Sequence, residues 1–172
     1  MLVISLKIHL RLLLIVLWHD IMTDFSNSDI ILETHETKNV KDNHVNGSLT
    51  VIWRDWDKII NEPPKMIYVS SVNKEEIKGP HIHTKRNSYF VCIRGKIAFI
   101  IKENNGTYRE IISSENDPVL VYVPKNFSSA HINLSDSVST VLTLADLAWK
   151  PNDNEMKNDI FENYDWSKWQ NK

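Results

Sequence analysis

The chain has 172 residues, 42% hydrophobic and 24% charged, which suits one globular domain with a real core and leaves little room for a second. A formal net charge of -2 gives no electrostatic basis for nucleic acid as a partner. The single cysteine, Cys92, excludes an internal disulfide; it lies in an apolar run that predicts a buried, inert thiol, and a reducing cytoplasmic location fits.

In chain order, residues 1–21 form an apolar extension unlike the rest. Leu12 to Trp18 is uninterrupted, but Lys7 and Arg11 break the segment upstream, leaving it short of the roughly 20 apolar residues that span a bilayer. No small-residue cleavage site follows, because the chain continues His19-Asp20-Ile21-Met22. The expected origin is an extension upstream of a natural start at Met22. A signal anchor and an amphipathic helix covering a barrel end are the alternatives, and only the anchor would make a membrane a partner.

Residues 22–47 read as a polar N-terminal arm with little periodicity. From residue 48 to residue 150, short β-rich runs alternate with turn signals, the pattern of an all-β sandwich or barrel. Strands are expected at Ser48–Trp53, Met66–Val72, Pro80–Thr84, Tyr89–Arg94, Lys96–Lys102, Thr107–Ile112, Val119–Val123, Ser129–Leu134 and Val138–Asp146. Gly79 and Gly95 punctuate the runs, Asn105-Gly106 is a hairpin signal, and Pro63-Pro64 breaks any helix through Asp55–Glu62. Residues 151–172 form a short C-terminal tail whose Phe161, Tyr164, Trp166 and Trp169 need burial on the barrel or across a dimer. Phe90, Phe99 and Tyr122 read as core rather than as a stacking platform.

The most informative run is Gly79-Pro80-His81-Ile82-His83, followed by Ser88 and closed by Gly95. Two histidines one residue apart on a strand share a face. The spacing is similar to the first cupin motif, with Ser88 where the carboxylate would stand. The second cupin motif reads Pro124-Lys125-Asn126-Phe127-Ser128-Ser129, with Ser129 at the histidine position and His131 two residues on. In a strand His131 would sit roughly 6–7 Å along from Ser129. Loss of both other ligand positions points away from a metal and toward acid–base chemistry by the histidines. A metal set of His81, His83 and His131 is the alternative; it requires a displaced register, because catalytic zinc normally takes three protein ligands.

The run from Gly79 to Gly95 resembles the cupin-type deoxysugar-nucleotide enzymes: the dTDP-4-dehydrorhamnose 3,5-epimerases and the WxcM-like dTDP-sugar 3,4-ketoisomerases. Asn46-Gly47-Ser48-Leu49-Thr50-Val51-Ile52 resembles the opening strand of the ketoisomerases, with Asn46 where they usually have Arg. The ending Tyr164-Asp165-Trp166-Ser167-Lys168-Trp169 is closer to the epimerases. The resemblance implies a cupin (double-stranded β-helix, jelly-roll) barrel and a homodimer paired through N-terminal strands. It implies a nucleotide-sugar substrate and no cofactor.

It also implies roles. Both reactions begin at a 4-keto-6-deoxyhexose, whose ketone acidifies the neighbouring C–H bonds. A base removes one proton, a donor holds the enolate oxygen and an acid returns a proton. His81 matches the base of the epimerases, and His83 the second histidine of the ketoisomerases. No tyrosine stands in Ala145-Asp146-Leu147-Ala148-Trp149, where the epimerases carry their acid, so Tyr68 is the expected replacement. The epimerase lysine has its counterpart at Ser88. Lys78 and Arg86 are expected at the diphosphate, with Ser88, Ser129 and His131 also lining the substrate site and Asp146 orienting a histidine. The leading expectation is a metal-independent, 3,5-epimerase-like enzyme of deoxysugar and polysaccharide biosynthesis. The 3,4-ketoisomerase, a metal cupin such as a dioxygenase, and a non-catalytic sugar-binding cupin are the alternatives.

Overall fold

The computed structural model describes residues 29–60 and 62–169. The apolar segment 1–21 and its alternatives therefore lie outside the described residues. Among the described residues no helix is long and apolar enough to cross a membrane.

The strands are β1 (Ile30–Ile31), β2 (Thr34–Lys38), β3 (Val45–Thr50), β4 (Met66–Val72), β5 (Ile77–His83) and β6 (Ser88–Arg94), then β7 (Lys96–Lys102), β8 (Tyr108–Ser114), β9 (Val119–Val123), β10 (Ser128–Asn133), β11 (Ser139–Ala145) and β12 (Met156–Asn158). A 3-10 turn at Ser167–Trp169 follows. One five-stranded sheet runs β1-β9-β6-β11-β4 and a second β12-β5-β10-β7-β8, while β2 and β3 form a separate hairpin. From β4 to β11 every connection except the β7–β8 hairpin crosses between the sheets. That is the antiparallel jelly roll expected from the sequence.

The period-two pattern explains the packing. Alternate side chains of β6, β7, β9 and β11 (Phe90, Cys92, Phe99, Ile101, Val121 and Val141 among them) meet between the sheets as the inner core, each large apolar one contributing about 1.5–3 kcal/mol by burial. The opposite faces are also covered. Tyr89, Val91, Leu120 and Leu144 lie under Leu32, Ile52, Trp53 and Ile60. Ala98, Ile100, Ala130 and Ile132 lie under the tail residues Phe161, Tyr164, Trp166 and Trp169. Phe161 and Trp166 stack at 5.9 Å, so the tail aromatics find their burial on the barrel itself.

Strands β4, β7 and β9 occupy their expected residues, whereas the N-terminal arm differs from expectation. Residues 30–50 carry three strands, and the strand expected at Ser48–Trp53 begins at Val45 and ends at Thr50. Ile52 and Trp53 instead turn onto the outer face of the first sheet. These arm strands are held by backbone pairing with little apolar alternation, so periodicity does not mark them. The same holds for β12.

Candidate active site

Strand β5 builds the site through one irregularity. Its register against β10 shifts between Ser129↔His81 and His131↔Lys78, so Gly79 and Pro80 together face Ala130 as a bulge. Lys78 and His81 are three apart, a spacing that sends side chains to opposite faces of a regular strand. The bulge resets the alternation, and Lys78, His81 and His83 all border one cavity. Only glycine fits at position 79: φ is +92°, and a Cβ would lie 2.7 Å from the Ser129 carbonyl oxygen.

The cavity has a volume of about 180 Å³. Tyr68 and Ser70 face it from β4, Ser129 and His131 from β10, Phe90 from β6, and Arg86 and Met156 complete the wall. Both sheets therefore contribute, with the histidines on one side and Tyr68 on the other.

The two β5 histidines have chemically different partners, both supplied by the tail. Strand β12 pairs with β5, placing Asn158 opposite His81 and Met156 opposite His83. His81 Nδ1 lies 3.2 Å from the Asn158 side-chain oxygen; donation from Nδ1 leaves Nε2 as a lone pair. His83 Nδ1 lies 3.0 and 3.1 Å from the two oxygens of Glu155, and Arg86 Nη2 donates to His83 Nε2 at 3.1 Å. Because a guanidinium has no lone pair to offer, Nε2 is the acceptor and the proton sits on Nδ1. Burial and then the charge of Arg86 push the His83 pKa down, against the opposing pull of Glu155.

Glu155 is 2% exposed and also approaches Arg86 Nη1 at 3.4 Å. Its backbone oxygen accepts from Thr84 N at 2.8 Å and from Thr84 Oγ1 at 3.0 Å. Arg86 is itself 7% exposed, and its guanidinium lies 5.8 Å from the Tyr68 ring centroid.

His131 is held differently. Its ring lies edge-on between Phe90 and Phe99, at 4.6 and 4.7 Å, and its Nδ1 is buried without a partner. Burial, then the charges of Lys78, His81 and His83, push its pKa down to about 3. It is a neutral imidazole at any physiological pH.

The structure brings together His81, His83, Tyr68, Lys78, Arg86, Ser129 and His131. Arg86, expected with Lys78 at the diphosphate, lines this cavity and lies against the buried Glu155 carboxylate. Two expectations fall elsewhere. Ser88 opens β6 with its Oγ buried and unpartnered, outside the cavity wall. Asp146 meets no histidine; it accepts from Asn87 N at 2.9 Å and from Asn87 Nδ2 at 2.6 Å, fastening the turn before β6. The histidine partners are Glu155 and Asn158, two tail residues that sequence reasoning missed. The only signal was the acidic and amidic composition after Pro151.

The three-histidine metal set does not assemble. Among the described residues no group of three or more His, Cys, Asp or Glu side chains has the geometry to hold a metal ion. Both ring nitrogens of His83 are already engaged by protein groups.

None of the curated proteins compared with the chain matches it. Solved structures share the fold. A dTDP sugar isomerase from Desulfovibrio desulfuricans G20 is 14% identical with a TM-score of 0.66, over 83% of this chain and 93% of that one. NovW, a 4-keto-6-deoxy sugar epimerase from Streptomyces spheroides, is 11% identical with a TM-score of 0.62, over 76% and 67%. The 3,4-ketoisomerase QdtA from Thermoanaerobacterium thermosaccharolyticum, solved as a variant with TDP-4-keto-6-deoxyglucose, is 16% identical with a TM-score of 0.58, over 77% and 88%. At such identities the likeness is one of fold. The sequence itself goes further: residues 31–166 match the family described as FdtA, WxcM-like, C-terminal, and the chain belongs to that family.

Proposed function

We propose that the chain is a metal-independent epimerase or isomerase of a nucleotide-linked 4-keto-6-deoxysugar, working by proton abstraction beside the ketone. The observation that carries this reading is the pair of histidines in one cavity, one with a free Nε2 and one locked between Glu155 and Arg86. His81 is the base: its Asn158 partner orients the ring without adding charge. Tyr68 is the acid of this reading: it lines the cavity from the opposite sheet, which supports return of a proton from the other side. Family membership and the nucleotide-sugar enzymes that share the fold support the substrate class.

The cavity, at about 180 Å³, is smaller than the roughly 300–1,000 Å³ of sites that enclose a whole ligand. It suits a sugar ring, with the nucleotide diphosphate outside it near the exposed Lys78.

Epimerisation at carbons 3 and 5 is the first reading. A second, 3,4-ketoisomerisation, is favoured by one feature: His81 and His83 rise from the same strand, so base and acid from that pair would act on the same side of the sugar. Incubation with dTDP-4-keto-6-deoxyglucose in deuterated water, followed by NMR, tests both. Exchange at carbons 3 and 5 marks epimerisation, and exchange at carbon 3 with a moved carbonyl marks ketoisomerisation. No exchange, with nucleotide-sugar binding retained, would overturn both in favour of a sugar-binding protein.

A homodimer belongs to the same proposal. Among the described residues the β2–β3 hairpin pairs with no other strand, and isolated two-stranded hairpins are marginal in water. Strand β4 ends its sheet with Ile67 and Val69 at 57% and 58% exposure. A second copy would cover these edges. A cytoplasmic location is supported by the lone, buried, unpaired Cys92.

A further inference from the structure

We infer that Arg86 is a catalytic residue: its guanidinium stabilises the enolate oxygen, and it does not hold the diphosphate. The inference rests on the function proposed above and assigns the group that meets the developing charge.

Three observations carry it. Arg86 is 7% exposed and yet forms part of the cavity wall, so its charge acts where water is scarce. Its donors are under-used, because Nη2 meets His83 and Nη1 meets Glu155 while Nε is buried without a partner. A guanidinium has five N–H donors, and leaving them unmet inside a protein is costly. Among the described residues the cavity wall also carries cations and no carboxylate: Lys78 and Arg86 face it, and Glu155 stands behind His83 and Arg86. Such a site favours an anion that forms within it. An exposed diphosphate is better served by Lys78, which lies open to solvent on the same strand as the histidines.

The step balances as a proton transfer. His81 Nε2 takes the proton from the carbon beside the ketone. The C–H electron pair becomes the new carbon–carbon double bond, and the carbonyl π pair moves onto oxygen. Arg86 donates hydrogen bonds to that oxygen. Return of a proton to carbon reverses the shift and restores a carbonyl, with no oxidant or reductant required. Fixed donors aimed at a developing oxyanion are among the strongest contributions to such reactions, and removing one typically costs about 10²–10³-fold in turnover.

The test compares Arg86→Met, Arg86→Lys and Lys78→Ala with the unaltered protein, reading solvent-deuterium exchange for kcat and KM and calorimetric binding of dTDP. Arg86→Met is expected to lower kcat by about 10²–10³-fold with KM and dTDP affinity nearly unchanged. Arg86→Lys keeps the charge and is expected to lose less; it carries the test if the methionine variant does not fold. Lys78→Ala is expected to raise KM and weaken dTDP. Raised KM and weakened dTDP in the Arg86 variants, with kcat retained, would overturn the inference and return Arg86 to the diphosphate. Absence of exchange in the unaltered protein would overturn the proposed function, and the enolate role with it.

Discussion

Glu155 and His83 are 72 residues apart in the chain, yet the carboxylate accepts from the imidazole Nδ1 at 3.0 Å. The pair fixes the tautomer of His83, since Nδ1 must carry the proton to serve a carboxylate and Nε2 is left to accept from Arg86. It also supplies the counter-charge for a buried guanidinium. Removing one partner of such a buried pair typically costs about 3–5 kcal/mol, because the other charge is stranded. Glu155→Ala is therefore expected to lower the thermal midpoint sharply.

Glu155→Gln is the finer variant. It keeps an acceptor for Nδ1 but removes the charge, and that charge raises the His83 pKa against burial and Arg86. The His83 titration, followed by NMR, is expected to move to lower pH. A His83 titration that stays in place would show that the carboxylate does not govern that imidazole.

The two histidines are predicted to separate by substitution. His81→Asn removes the free Nε2 base and should lower the exchange rate by about 10²–10⁴-fold, the usual contribution of a general base. His83→Asn removes a group whose Nε2 is covered by Arg86, so it should retain more of the first exchange event. Equal loss in both variants, measured as initial deuterium incorporation, would contradict the assignment of His81 as base.

Legibility in the sequence followed the physics of each element. The barrel strands bury one face or both, and their β-branched and aromatic runs between turn residues announced them. The histidine pair was readable because its spacing matches the two-residue period. Lys78 was named by position, but its approach to the same cavity depends on the bulge at Gly79-Pro80. Asp146 was credited with orienting a histidine, a task that falls to Glu155, because β12 consists of three exposed residues with no alternation to read. Arg86 follows Lys85 in the sequence, and nothing in that basic pair signals burial. Its burial follows from Glu155, a partner that no local pattern reveals.

The bulge gives its own prediction. Gly79→Ala places a Cβ 2.7 Å from the Ser129 carbonyl oxygen at a φ of +92°, so β5 or β10 must shift. Strain of this kind typically costs about 1–3 kcal/mol, and the displacement falls between Lys78 and His81. A lower denaturation midpoint with a loss of exchange larger than that of a surface control is expected. A variant with unchanged stability and exchange would show that the alternation of β5 does not depend on this residue.

His131 predicts the acid limb of stability. Its pKa is pushed down to about 3 in the folded protein, from an ordinary 6.5. As pH falls below about 6.5 the unfolded chain takes up a proton at this imidazole and the folded protein does not, so the stability it contributes is present above that pH and is lost toward about 3. Between pH 7 and pH 5 the loss from this one group is about 2 kcal/mol. His83 titrates in the same direction, so the two must be separated by substitution. His131→Phe seats an apolar ring between Phe90 and Phe99 and removes the buried, unpartnered Nδ1. Urea unfolding of both proteins at pH 7 and pH 5 is expected to show a smaller acid loss in the variant, by about that amount. The same pH dependence in both proteins would mean that His131 is protonated in the fold, with an acceptor that Phe90 and Phe99 cannot supply.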